Sequence, residues 1–169
     1  MRDPLFQGVS AFPLTPITST GVDEVSYAAL VERIQTADVD SISALGSTGS
    51  YAYLDLGERA SVAKLTVKHA GSVPVIVGIG ALRTRDVLEN LRTAEDAGAS
   101  AVLLAPVSYQ PLTEDEVYGL YEDVAATSSL PIIVYDNPTT TGIFVSDALH
   151  ARIAGLDLVR SIKIPPASL

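Results

Sequence analysis

Apolar residues fall along this chain in short, nearly unbroken runs, separated by longer stretches in which they recur every three or four positions. The runs are "GVSAFPLTP", "DSISALG", "VPVIVGIGA", "ASAVLLAPV", "LPIIVYDNP" and "DLVRSIKI". Their continuous apolar character predicts parallel strands covered on both faces. Between them, "DEVSYAALVERIQTA" sets Val25, Ala28, Ala29, Leu30, Val31 and Ile34 on one broad helical face. "TRDVLENLRTAEDAG" predicts a helix with Thr84 as its N-cap and Gly98 as its C-terminal stop. "TEDEVYGLYEDVAATS" opens on Thr113 with Glu116 three positions later, the spacing of a capping box. Strands return about every 30 residues, the length of one βα unit. No linker, low-complexity tract or block of like charge interrupts them, so a single domain over residues 1–169 is expected. Six successive βα units fit either an open doubly wound sheet or a (β/α)8 barrel cut short. The strand ends favour the barrel. Polar and special residues gather there in "PLTP", "GSTGS", "PVSYQP", "YDNP" and "KIPP", and a barrel assembles its active site from several such ends at once.

Composition narrows the chemistry. With 47% apolar and 18% charged residues the chain is an ordinary globular sequence, long enough at 169 residues for a sizeable core. A net charge of −9 argues against nucleic acid or an anionic membrane surface as partner, because both are recognised by clustered Lys and Arg. The absence of cysteine excludes disulfides, thiol catalysis and cysteine–zinc sites from this sequence. The opening "MRDPLFQGVSAFPLTP" lacks the apolar core of a signal peptide, and no apolar run reaches membrane-spanning length, so a cytoplasmic protein is expected. His69 and His150 lie in helical segments with no ligand spacing around them, and no metal site is expected.

Three strand ends carry candidate chemistry. In "LGSTGSY", Gly46 and Gly49 allow a tight turn and close approach to a ligand, Ser47 and Thr48 offer hydroxyls, and successive backbone N–H groups can form an anion-binding concavity. The same stretch also reads as a plain strand-to-helix turn, and it lacks the lysine of a phosphate-cradling loop. In "VYDNPTTTG", Tyr135 ends its strand and Asn137-Pro138 signals a turn. Its phenol can move a proton, or simply pack with a satisfied hydroxyl. Lys163, in "SIKIPP", is either a strand lysine snorkelling to solvent or an amine in a pocket. Taken together, an amine, a phenol and a hydroxyl-rich anion nest are what Schiff-base chemistry on a 2-oxo acid requires. An amine desolvated by apolar neighbours keeps some free base to attack a carbonyl.

In order along the chain, "AFPLTPI", "ALGSTGSYAYLDLGER", "VPVIVGIGA", "EDAGASAVLLAP", "LPIIVYDNPTTTG" and the "IK" of the sixth strand resemble the dihydrodipicolinate synthase / N-acetylneuraminate lyase family of pyruvate-dependent class I aldolases. The resemblance implies a (β/α)8 barrel of which this chain holds the first six units, a homo-oligomer (tetramer or dimer), and a small 2-oxo acid as substrate. It implies a covalent imine on Lys163 with no metal or organic cofactor, Tyr135 as proton-transferring tyrosine, Ser47 in the hydroxyl relay, and Thr48 at the substrate carboxylate beside Ser47 and Gly49. The chain departs from the family's pattern at four places. Ser50 stands where a Glu is usual. Ser108, or Tyr109 one residue later, stands where the synthase has the relay tyrosine that crosses to a neighbouring subunit. Thr140 replaces the arginine that holds the second substrate's carboxylate, and Ile164 replaces the acid after the lysine. Losing a bidentate arginine changes specificity. The half of the site that takes pyruvate is thus present in sequence, and the half for the second substrate differs. A sugar-acid aldolase and a catalytically silent scaffold are the competing expectations. Six strands leave two unpaired edges where eight would close.

Overall fold

In the computed structural model, which describes residues 4–165, six strands form one parallel sheet: β1 (Ser10–Ala11), β2 (Ser41–Ala44), β3 (Val75–Gly78), β4 (Ala101–Leu104), β5 (Ile132–Tyr135) and β6 (Val159–Lys163). Each pairs in parallel with its neighbour in sequence. Helices α1 (Glu24–Gln35), α2 (Leu56–His69), α3 (Thr84–Ala97), α4 (Glu114–Thr127) and α5 (Asp147–Ala154) lie between successive strands. The sheet curls into part of a (β/α)8 barrel. Every residue of β2 to β5 is buried, as the unbroken apolar runs require of strands with helices on one face and a barrel interior on the other.

The first run is strand for only two residues, because Pro13 and Pro16 have no N–H to give a ladder. Beyond it a two-residue antiparallel pairing, Ile17–Thr18 with Gly21–Val22, leads into α1. That helix buries only part of the face the sequence indicates: Val31 is in the core and Ala28, Leu30 and Ile34 are half-buried, but Val25 and Ala29 are exposed and Tyr27 joins the core instead. Val25 is 82% exposed, whereas Tyr27 and Val31 are fully buried. Tyr27 fits the interior because its hydroxyl reaches Thr66 Oγ1 on α2 at 2.8 Å, leaving no unpaired polar atom. At α3 the N-cap position belongs to Arg83, not Thr84, and no side chain caps it; Thr84 is the first helical residue. Gly98 does stop that helix, with φ at 87°. Thr113 and Glu116 form the reciprocal capping box of α4. Asp55 and Glu58 form a second one on α2 that the sequence reading passed over.

Inward-facing positions are mixed. Ser10, Ser41, Ser43 and Ser161 face Ile76, Leu103 and Ile133 across an interior cavity of about 190 Å³, with Lys163 at its wall. Ser10 and Ser43 share a hydrogen bond of 2.8 Å across β1 and β2. Among the described residues β1 and β6 each pair on one side only, so the curl is not closed.

Candidate active site at the ends of β2, β5 and β6

Lys163 reaches the site by way of an irregularity in β6. Ile132 is paired with Val159, but Ile133 with Ser161, so Arg160 is an extra residue on the β6 side. In a straight register Ile162 would stand opposite Tyr135. The bulge instead sets Lys163 opposite it. Lys163 Nζ lies 4.6 Å from the centre of the Tyr135 ring and 5.3 Å from that of Phe12, which follows β1. The ammonium form thus meets two aromatic faces, and Lys163 as a residue is half-buried.

Tyr135 is 5% exposed, and its hydroxyl is the most heavily partnered atom of the site. Ser47 Oγ lies 3.0 Å away and Asn137 Nδ2 donates to it at 3.4 Å, with the Thr140 side chain close enough to act on it as well. Burial pushes the phenol up, but the bonds from Ser47, Thr140 and Asn137 and the nearby Lys163 charge together outweigh it. The phenol ends below its ordinary value.

Ser47 is presented by a turn under backbone constraint. Leu45, at the end of β2, has φ of 57°, and Ser50 has φ of 56°. Both are left-handed conformations that a side chain disfavours. Gly46 is needed here because a Cβ would meet the Phe12 ring at 2.9 Å. The amides of Gly49 and Ser50 donate to the carbonyls of Gly46 and Ser47, so two of the N–H groups expected to line an anion concavity are used inside the turn. The amides of Ser47 and Thr48 enter no such bond among the described residues. Thr48 is exposed at the crest of the turn, and Gly49 is buried beneath it, where a Cβ would lie 3.3 Å from Leu45 N and Pro13 O. The structure therefore gathers Ser47, Tyr135 and Lys163 into one cluster. It leaves Thr48 at the rim and makes Gly49 a packing position.

The loop after β4 contributes nothing to this cluster. Tyr109 is 91% exposed, and the Ser108 hydroxyl is bonded to its own loop at Gln110. Ile164 is exposed beyond β6; Pro166 lies outside the described residues. Three features had gone unread in sequence. Asn137 passed for a turn signal, although its position two residues past Tyr135 places both on the same side of an extended segment. Asp136 is buried with Oδ2 3.2 Å from His150 Nε2, a pairing across 14 positions that no local spacing reveals. Arg59, on α2, is 5% exposed and donates to the carbonyls of Gly80 and Gly78 at the end of β3.

A family model described as the dihydrodipicolinate synthetase family matches residues 5–165, nearly the whole chain. The chain belongs to the dihydrodipicolinate synthetase family. Among this family's curated members, the 4-hydroxy-tetrahydrodipicolinate synthase of Phenylobacterium zucineum is 36% identical over 164 residues, covering 96% of this chain and 56% of that protein. The crystal structure of the dihydrodipicolinate synthase of Agrobacterium tumefaciens superposes with a TM-score of 0.93 at 44% identity, covering 98% of this chain and 57% of that one. That of the chloride-inhibited synthase of Acinetobacter baumannii, complexed with pyruvate, gives 0.87 at 34% identity over 93% of this chain and 55% of that one. The chain thus spans about half the length of the synthetase-family proteins it matches. Among the described residues, no helix is long and apolar enough to cross a membrane.

Proposed function

We propose that this chain carries the imine-forming half of a class I aldolase or lyase site acting on pyruvate or another 2-oxo acid, in the manner of 4-hydroxy-tetrahydrodipicolinate synthase. The unprotonated Lys163 amine adds to the C2 carbonyl, giving a carbinolamine. Tyr135, with Ser47 on its hydroxyl, protonates the departing oxygen, which leaves as water, and the imine remains on Lys163. The substrate carboxylate is received at the turn of Ser47 and Thr48, whose free amides face the oxygen-rich end of the substrate. The chemistry is carried by the covalent imine. A homo-oligomer in the cytoplasm is the setting this reading implies.

The observation that supports it most directly is Lys163 Nζ at 4.6 Å from the Tyr135 ring, with Ser47 Oγ at 3.0 Å from the same residue's hydroxyl. An acid–base phenol stands beside the one lysine of the cluster. The pyruvate complex of the Acinetobacter baumannii relative accords with the substrate class. Reduction with borohydride in the presence of pyruvate, followed by peptide mass spectrometry, should add the pyruvate-derived mass at Lys163 and nowhere else. Lys163→Ala should abolish the adduct. A folded wild-type chain that takes no adduct would instead support the catalytically silent scaffold, a reading motivated by the unclosed barrel.

A further inference from the structure

The hydroxyl of Tyr135 has more partners than a relay through Ser47 needs, and the extra ones come from its own loop. Asn137 Nδ2 donates to it from 3.4 Å, and Thr140, in the single helical turn Pro138–Thr141, acts on the phenol in the same direction. Asn137 occupies the N-cap position of that turn, yet its side chain makes no cap hydrogen bond and is free to face the phenol. Thr140 stands where the family resemblance places a substrate-holding arginine.

We propose that Asn137, aided by the neighbouring Thr140, is a positioning residue for Tyr135: from the loop that follows β5 they fix the phenol oxygen against Ser47 and favour its deprotonated form. The inference rests on the reading of Tyr135 as the proton-transferring group. Its chemistry is simple. A phenolate oxygen accepts up to three hydrogen bonds, and Ser47 Oγ and Asn137 Nδ2 already lie within hydrogen-bond distance of it, with Thr140 acting in the same direction. When the phenol gives its proton to the departing carbinolamine oxygen, charge develops on an oxygen already surrounded by donors, so nothing has to reorganise at that moment. The titratable groups facing the phenol are Lys163 from β6, which favours the phenolate, and Tyr51 from the segment after β2, whose own phenol is pushed up by burial. The two donors act in the same direction as Lys163. The bond geometry also means that the Asn137 amide is not available to clamp a second substrate's carboxylate while it holds the phenol.

The test is a titration of Tyr135 in the absence of any oxo acid, so it does not depend on turnover. Tyrosinate difference absorbance is recorded for the 169-residue chain, for the Asn137→Ala, Thr140→Val double variant, and for each with Tyr135→Phe added, which isolates Tyr135 from the other six of the seven tyrosines. Loss of both donors should raise the Tyr135 midpoint by about one pH unit, each single variant giving part of that. Thr140→Ser, which keeps the hydroxyl, should restore it. If circular dichroism shows that the double variant does not fold, Asn137→Asp decides: exchanging a donor for a negative charge at nearly the same shape must raise the midpoint. An unmoved midpoint in the folded double variant, or in Asn137→Asp, overturns the inference. A borohydride adduct obtained together with an unmoved midpoint would sink this inference alone, whereas a shifted midpoint without an adduct would sink only the imine.

Discussion

Among the described residues Arg59 is a cation with no carboxylate paired to it. Its two terminal nitrogens donate to Gly80 O at 2.8 Å and Gly78 O at 3.0 Å, Tyr51 lies below the guanidinium at 5.3 Å, and Nε has no partner among the described residues. Burial pulls it down to about 10, partly offset by Tyr51. What it contributes is two strong bonds to the end of β3, at the cost of a desolvated charge. Arg59→Met should therefore leave both carbonyls unpaired and lower stability by about 2–3 kcal/mol, read from urea unfolding. Tyr27 gives a pH dependence of definite sign. Burial raises its phenol from 10.0 to about 12, the Thr66 bond only partly countering it. A group raised on folding contributes stability that is full below its unfolded value and fades as pH climbs through the folded one. Stability should fall between pH 10 and about 12, and Tyr27→Phe should flatten that part of the curve while costing about 1 kcal/mol at neutral pH. Neither residue stood out in sequence, for a common reason. A tyrosine or arginine is interior only when another element supplies its partner, and Thr66 and the Gly78–Gly80 carbonyls lie on different elements.

At the scale of elements, β2 to β5 were legible because strands buried on both faces need unbroken apolar runs, and little else in a short segment produces them. The bulge in β6 was not. "VRSIK" alternates as any half-buried strand does, and only pairing with β5 reveals that Arg160 is supernumerary and that Lys163, not Ile162, meets Tyr135. The face of α1 was legible around Val31 but not at its edges: the residues facing α2 are chosen by packing, and Val25 meets the helical period yet stays 82% exposed while Tyr27 is buried. The junction of β2 and β3 is the tightest part of the site's floor. A Cβ on Gly78 would lie 2.0 Å from Leu45 O and 2.7 Å from its carbonyl carbon, both backbone atoms that cannot swing aside. Gly78→Ala should thus cost about 3 kcal/mol and displace the turn that presents Ser47. Thermal unfolding reads the first effect. A reduced yield of borohydride adduct at equal folded fraction reads the second, and an adduct at wild-type yield would show that Leu45 does not transmit the strain to Ser47.

For the molecule as a whole, the order of the six βα units and the gathering of chemistry at strand ends were both readable, since each follows from a repeat that depends on local periodicity alone. The interior was not. Four serines where a barrel interior usually carries branched apolar residues give no signal in a sequence read one strand at a time. What the assembled sheet leaves open has a consequence in solution. β1 and β6 present unpaired backbone along their outer sides among the described residues, with Val9 at 64%, Ile162 at 37% and Ile164 at 60% exposure beside them. An exposed parallel edge with apolar side chains is a template for another strand. The net charge of −9 opposes association only over about a Debye length, roughly 8 Å at physiological salt. Short-range pairing at the edges should prevail once salt screens that charge. Sedimentation velocity of the 169-residue chain should then show an apparent mass that grows with concentration, and grows faster at 0.5 M than at about 0.05 M salt. Ile162→Lys, which sets a charge on the β6 edge without touching Lys163 or Tyr135, should restore a smaller species. Association that is unchanged in this variant would move the contact away from β6, and a chain that stays monomeric at every concentration would show that the edges are shielded in another way.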